Sequence, residues 1–285
     1  MRYSMLMGGH RHAGQTETTF ELVEPATSEV WAEVAQAASA DVDAALAIAE
    51  RAHEDGVWSR TSATARGRVL LRAAELLRER LEIFALVEAR NAGKPISDAR
   101  GEVGLAAACL EYYGGAANKF FGEVVPVSDP GLDVVLREPV GVVGLIVPWN
   151  FPLLIATWKV APALACGNPV VLKPASYTPL TALMLGELLV EAGVPEACIS
   201  VLPGPGAEVG GRLVADPRVA KISFTGETTT GVSIIKASAD NLTRVSLELG
   251  GKSACVVFAD ADIEKCADST AMAVFGNAGQ DCCAR

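Results

Sequence analysis

The sequence predicts an α/β fold: a five-stranded parallel sheet with flanking helices, a helical layer before it, an inserted β-hairpin, and the opening of a second α/β unit after it. Three observations carry this. From residue 140 onward, short β-type runs alternate with apolar helical runs, the pattern of βαβ units. The β-type runs recur every ~25–30 residues, one unit each. Of the 285 residues, 50% are hydrophobic and 20% charged, enough for a substantial core.

Residues 1–14 hold no apolar run long enough for a secretion signal and are expected to form a disordered tail. Residues 18–34 alternate loosely around Pro25, predicting one or two edge strands. Ser39 and Asp41 are good helix starters, with Val42, Leu46, Ala49 and Ala52 at helical spacing behind them. In 61–89, Val69, Leu70, Ala73, Leu76 and Leu77 make one helical face and arginines the other. Asn91-Ala92-Gly93-Lys94-Pro95 ends that zone, and a third helix is expected over 97–117. Packing and solvated faces account for this third of the chain. In 122–138, Val124, Val125 and Val127 precede the turn cluster Ser128-Asp129-Pro130-Gly131, and β-type residues resume at Asp133. That predicts a hairpin, and one projecting from such a layer suits assembly. Strands are then expected at 142–147, 169–172, 199–202, 220–224 and 245–249. Helices are expected at 153–165, 180–192, 208–215, 229–239 and 263–275.

Composition excludes several classes. The net charge is −10 and no Lys/Arg run stands out, so no nucleic-acid partner is expected. Seven cysteines are scattered, odd in number and without C-x-x-C spacing. That is no disulfide framework and points to a reducing, cytoplasmic setting. The three histidines lie far upstream of the cysteine pair, so no zinc site is expected. No uninterrupted apolar run reaches the ~18–20 residues of a membrane span.

The candidate chemistry sits after the strand ends, where parallel sheets bind ligands. No G-x-G-x-x-G fingerprint occurs; Gly204-Pro205-Gly206 comes closest, with its third glycine misplaced at Gly210. Gly250-Gly251-Lys252-Ser253 lacks the first glycine of a P-loop, and no G-x-S-x-G elbow is present. Phe224-Thr225-Gly226-Glu227 leads from a strand into a helix whose free N–H groups could face a pyrophosphate; an ordinary βα turn reads the same way. Glu227 would repel a phosphate unless it turned to cap the helix. Lys173, ending a strand, is either a ribose contact or a solvated lysine. Asn150, between Pro148 and Pro152, offers N–H donors for a developing oxyanion, or is a plain turn residue. Phe151, Leu154 and Trp158 could line an apolar pocket beside it. Glu248 closes a strand in an apolar run, where desolvation would favour its neutral form and tune it toward base work; a structural Glu is the alternative. Cys282 follows Gly279-Gln280-Asp281, whose polarity argues against full burial, and a reactive thiolate needs such partial exposure.

The runs Pro148–Pro152, Lys173-Pro174-Ala175, Phe224-Thr225-Gly226, Glu248-Leu249-Gly250-Gly251-Lys252 and Gly279-Gln280-x-Cys282 occur in the order and approximate spacing of the aldehyde dehydrogenase superfamily. From about Phe20 onward the chain resembles that family's cofactor-binding half and the opening of its catalytic domain. The resemblance implies a Rossmann-like NAD(P)-binding domain over 15–121 and 141–250. It also implies an oligomerisation hairpin over 122–140 and the start of a catalytic domain over 251–285. It makes Cys282 the nucleophile, Glu248 the general base, Asn150 the oxyanion donor together with the Cys282 backbone N–H, and Lys159 a supporting lysine. It assigns Ile146, Val147, Pro148, Trp149, Lys173, Ser176, Gly206, Phe224, Gly226, Glu227 and Leu249 to the cofactor groove. The implied reaction is oxidation of a small-molecule aldehyde to an acid through a cysteine thiohemiacetal and thioester. NAD is the expected cofactor. NADP stays open because Ser176 stands where the family often has a Glu that disfavours a 2′-phosphate. Glu227 stands where Ser is common, which puts a side-chain contact to pyrophosphate in doubt.

Family members run to roughly 450–500 residues by that resemblance, so the chain is expected to be an incomplete copy that binds dinucleotide weakly and does not turn over alone. The whole protein is expected to be a homodimer or homotetramer. A non-catalytic dinucleotide-binding fragment and a CoA-acylating relative are the alternatives, and Glu248, as a base for hydrolysis, argues against the second. The substrate aldehyde is not readable from these residues.

Overall fold

A computed structural model describes residues 1–284. The chain opens with short strands β1 (Arg2–Tyr3), β2 (Met5–Met7) and β3 (His10–His12), then β4 (Thr19–Glu24) and β5 (Glu29–Ala35). Helices α1 (Ser39–Glu54), α2 (Ala63–Glu79), α3 (Leu81–Ala92) and α4 (Ile96–Ala116) follow. The hairpin is β6 (Glu123–Val125) and β7 (Asp133–Val135). The alternating region runs β8 (Val142–Ile146), α5 (Pro152–Ala165), β9 (Val170–Lys173), α6 (Leu180–Ala192) and β10 (Ile199–Val201). It continues with a π-turn (Gly206–Gly210) leading into α7 (Gly211–Ala215), then β11 (Val219–Gly226), α8 (Thr228–Ser238), β12 (Arg244–Leu249) and α9 (Ile263–Phe275).

Local chemistry explains the helix ends. The Asp41 carboxylate accepts the Ala38 N–H at 2.9 Å, closing the start of α1. Ser62 Oγ accepts the Ala65 N–H at 3.2 Å at the start of α2. The single helical zone expected over 61–89 is two helices, separated at Arg80. The core face of α2 is as expected except at Arg66. That arginine is buried, and its Nε donates to the Ala165 carbonyl at 3.0 Å. Burial lowers its guanidinium from the ordinary value. Beside it, α2 and α4 cross so closely that a Cβ on Gly67 would lie 2.5 Å from the Gly114 carbonyl oxygen.

The central sheet has seven strands in the order β12-β11-β8-β9-β10-β2-β3. The five expected strands are parallel; β2 and β3 add an antiparallel hairpin at the β10 edge. Apolar side chains pack on both faces. One face meets α2 to α6, and the other meets α1, α7 and α8.

The expected disordered tail is therefore wrong. Leu6 pairs with Val201, and Met5 and Leu6 are buried. Gly8 and Gly9, at φ of 54° and 75°, make the two-residue turn between β2 and β3, the left-handed geometry that glycine adopts without strain. The separate hairpin β6–β7 is solvent-exposed at every strand residue. Among the described residues, no helix is long and apolar enough to cross a membrane.

Leu6→Ala should lower stability by about 2–5 kcal/mol, the usual cost of emptying a buried leucine site. Urea unfolding monitored by fluorescence would check this; an unchanged midpoint would restore the disordered tail.

Candidate active site

The sheet changes winding direction at β8. From there the chain moves outward to β9 and β10, then returns to place β11 and β12 on the other side. The connections after β8 and β11 therefore diverge and open a crevice at the carboxyl ends of these strands. A cleft of about 760 Å³ lies there. Ile146, Val147, Pro148 and Trp149 line it from the end of β8, Lys173 and Ser176 from the end of β9, and Gly206 from the π-turn. Phe224, Gly226 and Glu227 complete it from the end of β11. Leu249 is not part of this lining. It packs behind α8, where a Cβ on Gly231 would meet its Cδ2 at 2.8 Å.

The polar groups of the cleft have local partners. Lys173 is not a solvated lysine: it is 6% exposed, and Nζ donates to the Pro174 carbonyl at 2.9 Å. Burial lowers its amine to about 8. Ser176 Oγ donates to the Gly204 carbonyl at 2.9 Å. Glu227 is the residue before α8, with extended backbone and no capping bond from its side chain. The first-turn residues Thr229 and Thr230 also line the cleft, so a helix start, with its unpaired N–H groups, faces the crevice.

Just past Trp149, which lines the cleft, the chain returns on itself. Asn150 Nδ2 donates to the Gln280 carbonyl at 3.1 Å, across 130 residues of sequence. A Cβ on Gly251 would lie 3.8 Å from the Cys282 carbonyl oxygen, so the Cys282 turn also meets the segment leaving β12. Asn150 and the segment leaving β12 thus each adjoin the Cys282 turn. Lys159, on α5 and nearly buried, donates to Ser223 Oγ at 3.0 Å. Burial lowers its amine to about 8, opposed in part by the charge of Glu248.

Two expectations need correction. Glu248 is exposed, because β12 is an edge strand whose residues alternate between open and half-covered faces; its apolar neighbours in sequence do not cover it. Leu154 belongs to the core, and Trp158 is 55% exposed on the outer side of α5, so neither builds a pocket with the half-buried Phe151. The Cys282 sulfur is exposed as expected and lies 3.8 Å from that of Cys283. What burial it has, then Cys283 and Asp281, push its thiol above the ordinary value. Asp281, Cys282 and Cys283 bring three donor atoms within 4.8 Å of one another, all on one turn.

Sequence alone does not single out the residues beneath this site. Lys94 is fully buried. It pairs with Glu102, lies 3.8 Å from Glu88 Oε1, and donates to the Asn150 carbonyl at 2.9 Å. Glu88 Oε1 accepts the Leu153 N–H at 3.3 Å and Glu102 Oε1 the Leu154 N–H at 3.0 Å. Two carboxylates from α3 and α4 thereby cap α5, which has no capping side chain of its own. Burial, then Glu102, push the Glu88 carboxyl well above its ordinary range. Asn277 Nδ2 bridges the Asn150 and Gln280 carbonyls, at 3.0 Å each, and its backbone N–H donates to Asp98 at 2.9 Å. The available signal is periodicity: Glu88 falls four residues after Phe84, and Glu102 three after Ala99, both on apolar helix faces.

Comparison with known proteins agrees with the motif order. The model of the aldehyde dehydrogenase family matches residues 12–285. An aldehyde dehydrogenase of Davidiella tassiana is 43% identical over 272 residues, 95% of this chain and 55% of that protein. The structure of an NAD-dependent aldehyde dehydrogenase from Sinorhizobium meliloti aligns at a TM-score of 0.96 and 41% identity, covering all of this chain and 57% of that one. An NAD+ complex of a Bacillus cereus aldehyde dehydrogenase aligns at 0.97 and 38%, covering 58% of its chain. The chain spans just over half the length of these relatives. It belongs to the aldehyde dehydrogenase family.

Proposed function

We propose that the protein containing this chain oxidises an aldehyde to a carboxylic acid, with NAD bound in the cleft between β8 and β11. The observation that carries the reading is the meeting of the Asn150 amide with the Cys282 turn, next to the cleft-lining Trp149. NAD supplies the hydride acceptor when bound. Lys173 and Ser176 take its adenosine end and the start of α8 its pyrophosphate, a reading supported by all three lining one cleft. The Cys282 thiolate adds to the aldehyde carbon, and the resulting alkoxide is held by the Asn150 side-chain N–H and the Cys282 backbone N–H. Loss of hydride from that carbon leaves a thioester on Cys282. Glu248 takes a proton from water, hydroxide adds to the thioester, and the acid leaves as the sulfur is freed. Lys159 supports the site from beneath. The exposed hairpin β6–β7 is the assembly element of the homo-oligomer.

In the enzyme containing this chain, Asn150→Ala should lower kcat about 10²–10³-fold, the usual effect of losing one oxyanion donor, while NAD binding is retained. Cys282→Ser should abolish NADH formation and keep NAD binding, whereas Cys283→Ser keeps both. The opposite result for the two cysteines would reassign the nucleophile.

Because partial burial, then Cys283 and Asp281, disfavour the Cys282 thiolate, alkylation of Cys282 by iodoacetamide without NAD should keep rising past the ordinary cysteine midpoint as pH increases. Asp281→Asn should move the profile to lower pH. A wild-type midpoint below neutrality, followed by mass spectrometry, would contradict this.

Ser176→Glu should raise the KM for NADP relative to that for NAD, because a carboxylate would face the 2′-phosphate. Steady-state kinetics with the two cofactors checks this.

A further inference from the structure

We propose that Lys94 and Asn277 are positioning residues that aim the Asn150 amide, an inference that rests on the oxidation chemistry proposed above. The Asn150 carbonyl has two donors, Lys94 Nζ at 2.9 Å and Asn277 Nδ2 at 3.0 Å. One reaches it from the helical layer, the other from the Cys282 turn. The Asn side chain has only two rotatable bonds, so fixing the peptide that carries it fixes where its N–H groups reach. An oxyanion donor must lie about 2.7–3.1 Å from the developing charge, a tolerance the backbone has to supply. Phe151 closes the other side, its ring centroid 4.7 Å from Lys94 Nζ.

Stability alone does not call for this cation. Buried ion pairs are often replaceable by apolar residues of similar volume without loss. What an apolar residue cannot do is donate to the Asn150 carbonyl. Asn277 carries the same signature: it is buried at φ 51°, an uncommon conformation for a non-glycine residue, with its amide bridging two carbonyls of the site.

The test uses the enzyme containing this chain. The double variant Lys94→Met/Glu102→Gln removes both partners of the Lys94–Glu102 pair together and leaves an acceptor for the Leu154 N–H. Asn277→Gly removes the amide where glycine suits the backbone. The measurements are kcat for aldehyde oxidation, Kd for NAD, the rate of Cys282 alkylation by iodoacetamide, which needs no oxyanion donor, and Tm. The expected result for the double variant is a kcat about 100-fold lower, the scale of a ~1 Å misplacement, with NAD affinity, alkylation rate and Tm unchanged. Asn277→Gly should give the same fall in kcat with NAD affinity kept. Wild-type kcat in both variants overturns the proposal. So does a joint fall in kcat, NAD affinity, alkylation and Tm, which would make the role structural. If the wild-type enzyme binds NAD but oxidises no aldehyde, the functional reading fails first and takes this inference with it.

Discussion

Helix α5 starts at Pro152 with its first amides held by carboxylates from two other helices, and the cation between those carboxylates holds the Asn150 carbonyl just upstream. This buried cluster is the constraint on which the site depends. It joins α3, α4 and α5 at the point where the chain leaves the central strand. Charges taken out of water need partners, and removing one partner of such a pair typically costs about 3–5 kcal/mol. The arrangement is therefore strongly specified: Lys94 cannot move without leaving Glu102 unpaired and the Asn150 carbonyl with only Asn277.

Topology does the rest of the positioning. With β8 central and β11 returning beside it, the segments after these strands separate and leave an opening that side chains do not fill. Lys173, Ser176 and Trp149 line that opening, and the next residue, Asn150, meets the Cys282 turn. A parallel sheet thus gathers groups from distant parts of the chain, with no single motif encoding the whole.

Most of this was legible in the residue pattern. Strand and helix periods from 142 onward, the hairpin near 130 and the strand-end motifs all follow from local spacing. What stayed hidden depends on contacts between distant segments. Met5-Leu6-Met7 is too short to read as a core strand until β10 offers an edge, although the Gly8-Gly9 turn is a hairpin signal. Glu248 lies in an apolar run, but its exposure is decided by β12 having a sheet neighbour on one side only. Lys94 resembles an ordinary residue after a helix, because its partners come from two different helices and a loop.

The pairing of Leu6 with Val201 also bears on how the molecule is made. During synthesis at about 5–20 residues per second, β2 leaves the ribosome some 10–40 s before its partner strand exists. For that interval the first apolar residues of the chain have no sheet to join. The two-residue turn lets β2 and β3 pair with each other meanwhile, so two strands translated early join the sheet only once β10 has emerged.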